Sequence, residues 1–316
     1  QIVAILVTGG AGYIGSHMIK VAHNAGHEVI TIDNLSTGHK DAVLYGQFEF
    51  CDILDTSRLN EIFIKYRPDA VMHFGAVSIV SESVKNPYKY YHNNVSGTLS
   101  LLSSMIENNC KKLIFSSTAA IFGNPDYLPI DENHAKVPIN PYGKSKLMVE
   151  EILKDFEVAY GLKYVSFRYF NAAGHDPDGI LKERHDPETH LLPIVMQAAN
   201  KTRDSVSIFG MDYETRDGTC IRDYIHVNDI AAAHLKGLEY LNNNDVKSIE
   251  LNLGNGNGFS VEEIVQEVEK FTGEKINIIY EDRRLGDPPA LIANGDYAKD
   301  ILKLNNKYCS LRDIIK

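Results

Sequence analysis

The stretch Thr8-Gly9-Gly10-Ala11-Gly12-Tyr13-Ile14-Gly15 decides the fold. It interrupts a short, continuously apolar run, Ile2 to Val7, and hands over to a helix-like segment from Ser16 to Asn24. A buried parallel strand opens a βαβ unit in this way. Gly9 makes the tight turn, Gly12 lets the backbone approach a pyrophosphate, and Gly15 permits close packing of the helix on the strand. The helix start, with Tyr13 and Ile14, offers free N–H groups and a partial positive charge to an anion. The next strand, Glu28 to Ile32, ends in Asp33, eighteen residues beyond Gly15. A carboxylate there accepts hydrogen bonds from an adenosine ribose and repels the additional phosphate of NADP, so the expected cofactor is NAD. A third strand-like stretch, Gln47 to Phe50, precedes Asp52-Ile53. That pair reads either as a cap over the adenine edge or as a helix cap.

Working outward, apolar runs at Ala70 to Phe74, Lys112 to Phe115 and Tyr164 to Phe167 alternate with helical stretches. The rhythm predicts an α/β fold with a Rossmann-type, doubly wound parallel sheet. It lapses after about residue 172, where Gly174 to Gly179 reads as a loop. The expected division is therefore an NAD-binding domain over 1–172, rejoined by about 219–240, and a smaller mixed α/β substrate lobe over 173–218 and 241–316.

Across the 316 residues, 44% are hydrophobic and 23% charged, ordinary values for a globular chain with a sizeable core. No run of about 18 apolar residues could cross a bilayer, and the chain opens on a strand-like segment, so no membrane association and a cytoplasmic location are expected. Four scattered cysteines without a CxxC pair fit reduced thiols. A formal net charge of −10 repels a nucleic-acid backbone and leaves a phosphorylated substrate dependent on locally placed arginines. The segment His185-Asp186-Pro187-Glu188-Thr189-His190 carries two histidines. Pro187 disfavours the helix that would set both on one face, so no metal is expected there.

The chemistry-bearing residues are Tyr142 and Lys146, four apart and on one face if helical. The ammonium is then placed to favour ionisation of the phenol, which could take a proton from an alcohol. The spacing alone is common. Its position after the strand that ends in Ser116-Ser117-Thr118 gives it weight, because those hydroxyls reach the same sheet edge. No Asp or Glu follows Thr118; the sequence runs on as Ala119-Ala120. A site without that acid suits removal and return of a hydride, without elimination.

These residues resemble the extended short-chain dehydrogenase/reductase superfamily. Tyr90 to Thr98, Pro141 to Glu150, Arg168 to Asn171 and Arg222 to Val227 are similar to signatures of its UDP-glucose 4-epimerase family. The resemblance implies reversible epimerisation of UDP-glucose and UDP-galactose at C4 with bound NAD. It gives Tyr142 the acid/base role, Thr118 a hydroxyl-donor role, and Lys146 the tuning of the phenol and a ribose contact. It adds Asn34, Phe74, Ala76, Asn94, Ser116 and Tyr169 to the cofactor residues, with Tyr169 also lining the sugar pocket. On the substrate side it assigns Asn171 to phosphate or sugar, Arg222 and Arg284 to the diphosphate, Asp287 to the uridine ribose and Phe209 to the uracil. His190, Leu191, Tyr224 and Leu291 complete that set. Asp223 and Asp282 are the carboxylates that would otherwise pair with the two arginines. Ser78 stands where some members carry lysine, and Leu291 where others carry a tyrosine or cysteine that gates N-acetylated sugars. A homodimer formed through Tyr88 to Glu107 and Ser145 to Val158 is also implied.

Overall fold

A computed structural model describes all residues, 1–316. Its strands are β1 (Ala4–Thr8), β2 (Glu28–Asp33), β3 (Gln47–Phe50), β4 (Ala70–His73), β5 (Lys112–Thr118), β6 (Lys163–Tyr169), β7 (Asn171–Ala173), β8 (Val206–Phe209), β9 (Ile221–His226), β10 (Ile249–Leu253), β11 (Gly258–Ser260), β12 (Ile278–Glu281) and β13 (Ala290–Leu291). The helices are α1 (Tyr13–Asn24), α2 (Thr56–Tyr66), α3 (Val80–Lys85), α4 (Pro87–Tyr91), α5 (Gly97–Glu107), α6 (Pro141–Tyr160), α7 (Leu191–Ala199), α8 (Val227–Leu241), α9 (Val261–Thr272), α10 (Asp296–Leu302) and α11 (Leu311–Ile315).

Seven parallel strands form the main sheet in the order β10-β6-β5-β4-β1-β2-β3. Alternation along β1 shows why it is buried on both faces. Ile5 and Val7 join a cluster with Met18 and Ile19 of α1 and Ile230 of α8, whereas Leu6 joins Leu59 of α2, Leu101 of α5 and Val149 of α6. Chain order reverses between β1 and β4, and the carboxyl ends of those strands open a crevice there.

The smaller lobe holds a sheet of β11, β9, β13 and β7, and a parallel pair, β8 and β12. Its own core joins Leu192 and Val195 of α7 to Ile264 and Val268 of α9 and Ile314 of α11.

Two strands fall on the other side of the expected division. β10, within 241–316, is the outer strand of the main sheet, where Leu251 and Leu253 share the core of β6 and α8. The unit α8–β10 resumes the winding that the smaller lobe had interrupted. Conversely β9, within 219–240, is the central strand of the small sheet. No helix is long and apolar enough to cross a membrane.

Candidate active site

β1 ends at Thr8 and α1 begins at Tyr13, so the chain reverses over a few residues. Gly9 does this at φ 66°, and a Cβ on it would fall 2.7 Å from the Gly75 nitrogen beyond β4. A Cβ on Gly15 would fall 2.3 Å from the Gly9 carbonyl oxygen. Only glycine fits either place. No side chain caps α1, whose first N–H groups stay available to an anion. Asp33 accepts from Ala11 N at 3.0 Å and from Leu35 N at 2.7 Å. Burial raises its carboxyl pKa, while these amides pull it down.

Beside this turn lies a cavity of about 280 Å³, lined by Gly9, Gly12, Tyr13, Ile14, Gly15, Asp33, Asn34, Ile53, Phe74, Ala76, Ser116, Tyr142, Lys146, Tyr169 and His190. The cradle, the free amides and the carboxylate fit a dinucleotide. Asp52 and Asn94 stand behind the wall. Asp52 accepts from Leu54 N and Asn34 Nδ2, while Asn94 clamps Val77 through both its backbone groups and donates to Ser145.

Asn140 caps α6 by accepting from Gly143 N, and Pro141 occupies its first turn. Tyr142 and Lys146 follow on one face. Gly143 lets this helix start approach the end of β5, for a Cβ there would lie 2.5 Å from the Ala120 oxygen. The close approach brings the Thr118 hydroxyl near the Tyr142 phenol. Lys146 Nζ donates to Ser116 O at 2.8 Å and lies 4.9 Å from the centre of the Phe115 ring. Burial raises the phenol pKa, while the nearby Thr118 hydroxyl pulls it down. The ammonium is turned toward Ser116, and burial brings its own pKa down to about 7, with Glu150 opposing.

On the smaller lobe, Arg284 lies 4.7 Å from the centre of the Phe209 ring and pairs with Asp287 at 2.9 Å, not with Asp282. Arg222 has no carboxylate partner and donates to Ile221 O at 2.8 Å. Asp223 is fully buried and accepts instead from the amides of Asn255, Gly256 and Ala293. Leu291 sits opposite Arg222 in the β13–β9 register and packs on the cluster of Ile121 and Phe122. Asn171 opens β7, half-buried, and Leu191 is the first residue of α7. Tyr224, expected at the substrate, is buried in the core of Leu192 and Val195.

A model of the NAD dependent epimerase/dehydratase family matches residues 5–254. The UDP-glucose 4-epimerase of Halalkalibacterium halodurans is 50% identical, over 99% of this chain and 93% of that protein. The chain belongs to the UDP-glucose 4-epimerases. The crystal structure of UDP-glucose 4-epimerase from Brucella ovis in complex with NAD superposes with a TM-score of 0.96 at 50% identity, covering 99% of this chain and 96% of that one. The UDP-Glc/GlcNAc 4-epimerase of Campylobacter jejuni matches with a TM-score of 0.87 at 40% identity, over 99% and 97%.

In this epimerase the cavity also takes residues that motif reading missed. The Ser36 to His39 loop forms part of the wall, with His39 N donating to Ala11 O at 2.9 Å. Gly38 was its one signal, since a Cβ there would lie 2.9 Å from the Ala11 carbonyl carbon. Lys182, Arg184 and His185 reach the cavity from the smaller lobe, and Arg184 bridges to Asp41 at 2.8 Å. As Pro187 predicts, no helix spans His185 to His190, yet the loop itself folds their two rings to a centroid distance of 4.9 Å.

Proposed function

We propose that this chain interconverts UDP-glucose and UDP-galactose by inverting C4 through a transient 4-keto sugar, with Tyr142 as the acid/base. The observation that carries the reading is the Tyr142 phenol on the cavity wall, beside Thr118 and with Lys146 on the same wall, with no acid following Thr118. Bound NAD supplies a hydride acceptor and a cationic ring. Gly9, Gly15 and the α1 start hold its pyrophosphate, and Asp33 its adenosine ribose. With NAD bound, Tyr142 Oη, as a phenolate that Thr118 steadies, would take the proton of the 4-hydroxyl and become the neutral phenol. Once the keto sugar has turned, the neutral Tyr142 phenol would give the same proton back to the 4-oxygen as C4 regains its hydride on the opposite face, which leaves the phenolate ready for another cycle. Arg222 and Arg284 grip the diphosphate meanwhile, with Asp287 and Phe209 at the nucleoside and Leu291 at the sugar end.

Exposed Val84, Tyr88, Leu99 and Met148 on α3 to α6 support a homodimer through this face, which light scattering tests. The four free thiols fit a cytoplasmic enzyme.

For the activity itself, purified protein is incubated with UDP-galactose, without and with added NAD, and UDP-glucose is followed alongside conversion of UDP-N-acetylgalactosamine. Absence of product from either sugar, even with NAD, would sink the reading. Tyr142→Phe should lose about 10²-fold or more in turnover while still binding UDP-sugar.

A further inference from the structure

The loop between β7 and α7 crosses to the cofactor cavity and folds Glu183, His185, Glu188 and His190 around one point. Their ligand atoms all lie within 4.8 Å of one another. His185 Nδ1 is 3.4 Å from both Glu183 Oε1 and Glu188 Oε2. A four-coordinate ion with bonds of about 2.0–2.1 Å to nitrogen and oxygen spaces its ligand atoms roughly 3.3 Å apart. His190 Nδ1 touches Glu183 Oε1 more closely than that, so seating an ion opens this one contact.

Charge and hydrogen bonding point the same way. The side chains of Glu183 and Glu188 are only 7% and 5% exposed, and their only charged partners are the two imidazoles. Two carboxylates this buried need a cation between them. His185 Nδ1 is itself buried without a hydrogen-bond partner. Glu188 divides its oxygens: Oε1 accepts from the amides of Thr189 and His190, while Oε2 faces the cluster.

We infer that Glu183, His185, Glu188 and His190 bind one divalent transition-metal ion of the zinc class. The two imidazoles are borderline donors that suit zinc and disfavour calcium or magnesium, which take oxygen ligands, and zinc accepts the two carboxylates beside them. Four protein ligands close the site, so its role is structural. Its position says what it would hold. The His185 ring meets Tyr13 edge-on at 6.2 Å, and the Tyr13 hydroxyl donates to the Gly174 carbonyl at the start of the same loop. His190 is the N-cap residue of α7. The ion would thus lock the smaller lobe's loop against the glycine turn.

The test uses the full chain, untagged, stripped with dipicolinate and titrated with zinc by calorimetry at pH 7.5, and separately with cobalt followed by visible absorption. Expected are one zinc per chain, cobalt d–d bands of a four-coordinate nitrogen/oxygen site, and a Tm that rises on adding zinc. His185→Ala and Glu188→Gln should each weaken zinc at least tenfold and abolish the Tm rise, with circular dichroism confirming the fold. Glu188→Gln keeps an acceptor for the two loop amides, so it answers if His185→Ala fails to fold. Stripped wild type that takes up no zinc would overturn the inference, leaving protonated histidines to balance the carboxylates. Uptake equal in wild type and either folded variant would place the ion elsewhere and overturn it as well.

Discussion

Among single residues, the two arginines show how a substrate grip depends on what each guanidinium is not doing. Arg284 already holds Asp287, an exposed pair that contributes little by itself. Arg222 is free of carboxylates because its neighbour Asp223 is committed to three backbone amides. In an acidic chain, such a half-buried guanidinium without a carboxylate partner is a ready anion site. Arg222→Leu is therefore expected to weaken UDP-sugar binding by about 1.5–3 kcal/mol, the worth of a charged hydrogen bond, or roughly 10- to 150-fold. Calorimetry with UDP would read this directly, with the NAD content unchanged. An equal or larger loss in Arg284→Leu, with Arg222→Leu near normal, would reverse the assignment. The sequence named both arginines through family resemblance. Which one is paired was not legible, since it turns on β9 burying Asp223 against the 254–256 and 293 backbone.

For the elements, the start of α6 carries the chemistry. Asn140 and Pro141 mark this helix start by type, and the four-residue spacing puts Tyr142 and Lys146 on one face. What spacing does not reveal is how near that face comes to β5. Gly143 sets the distance, with its Cα hydrogen against the Ala120 carbonyl. Gly143→Ala should leave the sheet and its core intact but push the helix start away, separating the phenol from Thr118. A misplacement of about 1 Å is enough to cost on the order of 10²-fold in rate. The expected result is a large fall in kcat with a Tm within a few degrees of wild type. Wild-type kcat in a folded Gly143→Ala protein would mean the helix start yields without disturbing Tyr142. Strand reading met a similar limit. β1, β2 and β4 to β6 were legible because burial on both faces leaves continuous apolar runs. The place of β10 in the main sheet was not, because it returns there after a long excursion and alternates Glu250 and Asn252 with Ile249, Leu251 and Leu253.

Across the whole molecule, buried polar groups tie the lobes together and make the fold sensitive to acid. Lys20 of α1 holds Asp176 at 2.7 Å in a buried pair, and Arg184 adds an exposed bridge to Asp41, both between the two lobes. Deeper in, His73 bridges Thr8 and Thr98, and His234 accepts from the Tyr169 hydroxyl while meeting Ile230 O. Burial pushes the pKa of His73 down to about 3, and those of His226 and His234 down to about 4. Each ring is neutral when folded but charges when unfolded below about 6.5. The unfolded chain then binds more protons, so stability contributed above pH 6.5 is lost as pH falls toward 4. At pH 5 this amounts to roughly 2 kcal/mol per histidine relative to pH 7. Asp223 works in the opposite sense. Burial lifts its carboxyl to about 6, above the unfolded value, so protonation favours the folded chain as pH drops through 6, by about 1.4 kcal/mol at pH 5. His17, also lowered by burial, joins the three histidines, and Asp33, Glu132 and Asp229, also raised by burial, join Asp223; with the largest shifts among the histidines, acid costs the folded chain stability. The urea midpoint should therefore fall steeply between pH 7 and pH 5, and more gently in His234→Asn, which removes one of the three rings. A midpoint that stays level over that interval would mean the rings are solvated or charged in the folded protein, and the buried network would then not be what sets its acid limit.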